Sequence, residues 1–243
     1  KWVSGQNMPE FLRQISANAA EYLKDKAAGL KRLLTPSYHL QFSEALANFS
    51  TWLVEPIVEK FGGQLIYSGG DDVLAMLPAD QAIPCAQVLR AVFRGEAPKN
   101  HNDFHLAVTH TGFVNGHAGY PLIVPGPKAD VSIGLAIGHC NAPLQMLVRE
   151  AQRAEKIAKK EYGRSALAVL LYKRSGETIE WGCKWSSPAL ELMAQVADWT
   201  EKERLTGRFP YALAELLKPY QLDREPAIPV ADLEKIILME FAH

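Results

Sequence analysis

The sequence predicts an α/β protein of the α+β kind whose last quarter is helical. Three observations carry this. Two apolar runs (Leu65, Ile66, Tyr67 and Val73, Leu74, Ala75, Met76, Leu77) flank Gly-Gly-Asp-Asp and read as a tight β-hairpin, because glycine supplies the positive φ angles such turns need. Helical periodicity and short apolar strands alternate around that hairpin up to about residue 185. Beyond Trp185 only helical patterns remain.

The elements follow in order. Apolar spacing at Phe11, Ile15, Ala19, Tyr22, Leu23 and Leu30 predicts a helix from about Pro9 to Leu34, broken by Thr35-Pro36-Ser37. A second helix is expected from about Ser37 to Phe61, with a stripe of Leu40, Phe42, Leu46, Phe49, Leu53 and Ile57, and Gly62-Gly63 ends it. After the hairpin, Asp80 opens a helix that reaches about Arg94. Residues 95–103 read as a loop, Phe104–Thr109 as a strand, and the Gly- and Pro-rich residues 115–130 as an irregular insertion. Val131–His139 is a strong strand, and Pro143 leads into a helix over about Leu144–Glu161 that Gly163 stops. Ala166–Lys173 is a further strand with Thr178–Trp185 as its candidate partner. Pro188–Glu203, Pro210–Leu217 and Val230–Phe241 read as helices. The expected division is residues 1–185 and 186–243.

Composition narrows the function classes. Hydrophobic content of 48% and charged content of 22% describe an ordinary globular chain. Lys plus Arg number 26 against 27 for Asp plus Glu, so no global basic field advertises nucleic acid, and any RNA contact must be local or made by a partner. Cys85, Cys140 and Cys183 are odd in number and show no C-x-x-C spacing. That argues for a reducing compartment and against a disulfide framework or a cysteine zinc site. No signal peptide and no apolar run of membrane-spanning length is present, so the expected address is the cytoplasm.

The chemistry centres on the hairpin. Asp71 and Asp72 are adjacent at its turn, and two carboxylates there repel each other unless solvated or holding a cation. Gly69 and Gly70 leave backbone N–H groups open to a phosphate. Carboxylates for a divalent metal beside bare backbone suggest a nucleoside triphosphate site. The same four residues are also good solvated-turn chemistry. The apolar flanks weigh against that plainer reading, because they predict a hairpin central to a sheet with half-buried acids.

The order helix, hairpin with acids at its turn, helix, strand, helix, strand resembles the palm domain of nucleotidyl cyclases and polymerases, the family that includes GGDEF-type diguanylate cyclases. VSIGLAIGH at 131–139 is similar to that family's Ser-Ile-Gly core strand, and AQRAEKIAKKEYGR at 151–164 to its later helix with an Ala-Lys pair and a Gly-Arg end. More narrowly, YSGGDDVLAMLP, the preceding Ser-Glu-Ala-Leu and the C-terminal RFPYAL resemble the large palm subunit of type III CRISPR effector complexes of the Cmr type, over essentially the whole chain. The resemblance implies a palm, ferredoxin-like fold with an antiparallel sheet and a small helical domain behind it. It implies a subunit of an RNA-guided antiviral complex that makes cyclic oligoadenylate messengers from ATP when target RNA is held. Its partners would be the other subunits, guide RNA and target RNA, with no membrane. Two alternatives stand beside it: a palm that binds nucleotide or a subunit without turnover, and a free-standing cyclase. Asp-Asp-Val in place of the acidic-acidic-Phe signature weighs against the second, as does the helical tail.

Under this resemblance Asp71 and Asp72 are the catalytic carboxylates and hold Mg²⁺ (or Mn²⁺), hard cations suited to oxygen ligands. Gly69 and Gly70 let the backbone approach the triphosphate, and Ser68 either hydrogen-bonds it or is an ordinary strand-end hydroxyl. Lys159 or Lys160, together with Arg164, would grip the β- and γ-phosphates. Which lysine does so is open, and a solvated helix face is the plain alternative. Palm enzymes of this type carry another metal-binding aspartate on an earlier strand. Lys1-Trp2-Val3-Ser4-Gly5 resembles the segment directly after that strand, so a fragment with an incomplete metal site is expected.

Other constellations carry less. His101, His105, His110 and His117 match no common zinc spacing. His139 and Cys140 are strand neighbours that should point to opposite faces, which favours packing over nucleophilic chemistry. Trp181 and Trp185 read as core or interface anchors. No His-Asp dipeptide occurs, so the HD-type nuclease of related large subunits is not in this stretch.

Overall fold

The structure, a computed structural model, describes residues 10–31, 35–98, 108–110, 112–115, 120–220 and 229–241. It divides into two compact units, Lys1–Lys184 and Trp185–His243. No described helix is long and apolar enough to cross a membrane.

The first expected helix is two pieces, a 3₁₀ turn at Phe11–Gln14 and helix α1 at Ala17–Ala27. Ser16 separates them: its backbone is non-helical and its side chain accepts from the Ala19 N–H at 3.4 Å, an N-cap that starts a new helix. The second expected helix is also interrupted. Helix α2 (Pro36–Asn48) runs into a π-helical turn at Phe49–Leu53 and then into α3 (Val54–Lys60). Pro56 supplies no N–H and crowds the carbonyl four residues earlier, and widening the preceding turn relieves both problems. The Val54 N–H accordingly donates to the carbonyl of Phe49, five residues back. Phe49, Leu53, Val54, Ile57 and Val58 are all buried and form the core of this unit with Cys85, Val88 and Val92 of α4 (Ala82–Phe93).

The hairpin forms as expected, with β1 at Gln64–Gly69 and β2 at Asp72–Met76. Its turn differs in detail. Gly69 pairs with Asp72, which leaves Gly70-Asp71 as a two-residue loop, and of these only Gly70 has a positive φ, +64°. A glycine-first loop of this kind suits the twist of the strands it joins. The expectation of a hairpin central to a sheet is corrected. Among the described residues β2 pairs only with β1, in a two-stranded sheet, and Asp71 and Asp72 are exposed rather than half-buried. No described strand covers the outer edge of β2, so its carboxylates stay in solvent.

Residues 115–130, expected to be irregular, contain strand. Val108–His110 (β3), Phe113–Asn115 (β4) and Pro121–Ile123 (β5) form a small antiparallel sheet. Three-residue strands are too short to show alternation in sequence. They form because Val114 and Val124 bury against the α3–α4 core. Most of the strand expected at Phe104–Thr109 lies outside the described residues, as do His101, His105 and His117.

The remaining elements make a third sheet. Strand β6 (Ile133–Ile137) leads through α5 (Leu144–Lys160) to β7 (Ala166–Tyr172), which lies parallel to β6. Strand β8 (Thr178–Lys184) then returns antiparallel to β7. A parallel neighbour requires a crossover of about a dozen residues or more, and α5 supplies it. Ala154, Ile157 and Ala158 of α5 bury against Ala166, Ala168 and Leu170 of β7. In β8, Trp181 is half-buried opposite Val169.

Entry into β6 is held by ion pairs. Asp130 receives two hydrogen bonds from Arg90 (2.7 and 2.8 Å) and one from the Val131 N–H (2.9 Å), while Arg94 pairs with Glu96 at 2.8 and 2.9 Å. The Arg94 hydrogen bond holds the Glu96 carboxyl below its ordinary value near 4.5. A lowered carboxyl pKa adds stability that is present above the ordinary pKa and lost as pH falls through the folded one. Melting curves of wild type and Glu96→Gln should therefore differ at neutral pH and converge on acidification below about 4.5.

All three cysteines are free, and Cys85 and Cys183 are buried. Burial raises both thiols, that of Cys85 to about 12. A thiol reagent is expected to label Cys140 in the native protein and the other two only in denaturant. Cys140 Sγ lies 3.7 Å from His139 Nδ1, which accepts from the Asn141 N–H at 3.2 Å.

The second unit holds α6 (Ala189–Glu201), α7 (Phe209–Leu217) and α8 (Val230–Phe241). Leu190 and Leu233 are buried, while Leu192, Tyr211, Leu238 and Met239 are exposed.

Candidate active site

The hairpin borders a cleft of about 820 Å³. One wall is β2 with its turn, residues 71–77, and the facing wall is residues 131–140, which contain β6. Strand β6 pairs only with β7 and β2 only with β1, so among the described residues each wall presents a strand edge without a strand partner. The floor comes from one face of α5, where Leu144, Leu147, Val148, Ala151, Gln152 and Glu155 line the cleft at helical spacing.

Helix α5 touches β6 through glycine. A β-carbon on Gly134 would clash with the Glu155 amide nitrogen and stand 2.5 Å from the Ala151 oxygen and 2.7 Å from Ala154 C. The Ser-Ile-Gly glycine is therefore a packing requirement, setting how closely the cleft floor approaches its wall.

Asp71 and Asp72 both line the cleft, are exposed, and make no ion pair among the described residues. No group of three His, Cys, Asp or Glu side chains stands close enough among the described residues to hold a metal alone. Two carboxylates nevertheless suit Mg²⁺, which keeps waters and is bound through one or two carboxylates plus substrate phosphates. Ser68 is half-buried and donates its hydroxyl to the Ser50 carbonyl in the π turn at 3.0 Å. Gly70 has open space where a β-carbon would be.

The three cations do not line the cleft. Lys159 lies one turn beyond Glu155 on the cleft-lining stripe and is ion-paired with it, whereas Lys160 is exposed and about 100° off that stripe. Arg164 is exposed with φ +66°, followed by Ser165 at +47°. Lys184 braces this bend by donating to the carbonyls of Gly163 at 2.9 Å and Arg164 at 2.7 Å. Sequence reasoning missed Glu155 and Lys184. The α5 stripe carried the signal for Glu155; nothing local marked Lys184.

An acidic hairpin turn beside a β6–α5–β7 crossover defines a palm domain, the fold type of nucleotidyltransferases. The chain belongs to the Cas10/Cmr2 family, whose second palm domain it matches over residues 5–168. It is 36% identical over 177 residues to the CRISPR system Cmr subunit Cmr2 of Pyrococcus furiosus, covering 72% of this chain and 17% of that protein. To the CRISPR system CMR subunit Cmr2 of Saccharolobus solfataricus it is 28% identical over 135 residues, 55% of this chain and 12% of that one. The chain thus spans less than a fifth of these relatives. A chain in the cryo-EM structure of type III-B Cmr-beta in the apo state superposes with a TM-score of 0.59 at 19% identity, covering 85% of this chain and 22% of the other. That likeness bears on the fold.

Proposed function

We propose that this palm binds ATP with Mg²⁺ or Mn²⁺ at the Gly-Gly-Asp-Asp turn and joins ATP units into cyclic oligoadenylates within a Cmr-type, RNA-guided effector complex in the cytoplasm. The observation that carries the reading is the pair of carboxylates, without an ion pair among the described residues, at a bare glycine turn that opens onto a cleft. Asp71 and Asp72 hold the divalent ions, which when bound activate a ribose hydroxyl and neutralise the departing pyrophosphate. Gly69 and Gly70 let backbone N–H groups approach the triphosphate. Of the two lysines, Lys159 is assigned to the phosphates because it continues the stripe that lines the cleft, with Arg164 beyond it. Among the described residues the facing edges of β2 and β6 have no strand partner, which supports a further strand between them, and a carboxylate on it would complete the metal site.

The test uses the assembled complex with guide RNA, target RNA, labelled ATP and Mg²⁺, followed by chromatography of the products. Cyclic oligoadenylates are expected from the wild type and not from Asp71→Asn/Asp72→Asn. Equal product from both would refute the assignment.

A further inference from the structure

Two backbone irregularities meet behind the acidic turn, and between them they set where Tyr67 goes. The pairing of β1 with β2 slips between Leu65 and Tyr67, so Ile66 is a bulge that breaks the strand's alternation. Ile66 and Tyr67 are in consequence both exposed, while Ser68 turns inward. Bulges re-aim the side chains that follow them. Ser68 is then fixed by its hydrogen bond to the Ser50 carbonyl, which the π turn presents. Such turns are frequent at functional sites.

With Ser68 anchored inward, Tyr67 faces the cleft that Asp71 and Asp72 line. Its ring lies along the strand over Gly69. A β-carbon there would stand 2.9 Å from Tyr67 Cζ and closer still to the phenolic oxygen. Gly69 has no positive φ, so the backbone does not require glycine at this position, and a side chain there would meet only the phenol, which would have to swing aside. The hydroxyl ends one residue short of the Gly70-Asp71 loop and has no hydrogen-bond partner among the described residues. The residue is 57% exposed.

We propose that Tyr67 is a substrate-contact residue of this site, its phenol seated on Gly69 and donating its O–H to a phosphate oxygen of the bound nucleotide. The inference rests on the reading of the acidic turn as a triphosphate site, which it deepens by naming a donor. A neutral O–H aimed at a charged phosphate oxygen forms one of the stronger classes of hydrogen bond.

Calorimetric titration of the intact protein with Mg²⁺ and a non-cleavable ATP analogue separates the two ideas. Tyr67→Phe keeps the ring and is expected to weaken binding about tenfold without moving the melting temperature. The same ratio is expected with Mg²⁺ and tripolyphosphate, which has neither base nor ribose. Asp71→Asn/Asp72→Asn should abolish binding of both probes. If the double variant loses binding while Tyr67→Phe binds as wild type, the phenol contact is overturned and the site stands. A loss seen only with Tyr67→Ala, or with the ATP analogue but not tripolyphosphate, overturns it too. Unchanged binding by the double variant removes the triphosphate reading itself, and the contact with it.

Discussion

Gly134→Ala is expected to destabilise the first unit by about 3 kcal/mol, with Gly134→Val leaving no folded protein. The obstacle is backbone on every side: the added carbon meets the Glu155 nitrogen, the Ala151 oxygen and Ala154 C. A flexible side chain could swing away, but a helix backbone moves only as a body. Lifting α5 from β6 also opens its contacts with β7, where Ala154, Ala158, Ala166, Ala168 and Leu170 are fully buried. Small residues on both faces let the layers approach closely, so even a slight displacement leaves voids they cannot fill. Urea unfolding followed by circular dichroism measures the change, and a midpoint for Gly134→Ala equal to wild type would contradict this account.

The second large effect is opposite in kind. Asp71→Asn/Asp72→Asn should lower cyclic oligoadenylate formation about a thousandfold, since metal-borne charge stabilisation supplies several kcal/mol of the barrier reduction. Folding stability should change by no more than about 0.5 kcal/mol, as for exposed positions without partners. Both carboxylates are exposed and unpaired among the described residues, so removing them breaks nothing and relieves mutual repulsion. Mn²⁺ should raise the melting temperature of the wild type alone, because an ion that binds only the folded state stabilises it. Activity lost together with a collapse in melting temperature would mean that the acids serve the fold.

Much of the fold was legible because its signals are local. The hairpin carries consecutive turn residues between apolar runs, α5 a full helical period and β7 an unbroken apolar run, and their ends fall within a residue or two of the expected positions. Interruptions were harder to read. Ser16 restarts a helix through a cap of one residue, and Pro56 widens a turn that lies several positions before it. Neither disturbs the apolar spacing, so periodicity ran straight through both. The strands at 113–115 and 121–123 were hidden for another reason: their stability comes from Val114 and Val124 packing on distant helices.

The candidate site divides along the same line. Asp71, Asp72, Gly69 and Gly70 were readable because turn chemistry is written in consecutive residues. Their exposure was not, because it depends on which strand edges meet. By itself the sequence determined the hairpin with its acidic turn, α5 and β7, all consequences of local backbone and side-chain chemistry. Only the tertiary structure decided that β2 and β6 face each other across a cleft, that Lys159 rather than Lys160 continues its floor, and that Tyr67 turns outward while Ser68 turns in. Those outcomes rest on contacts between residues far apart in the chain and on a bulge that shifts every side chain after it, neither of which a local pattern encodes.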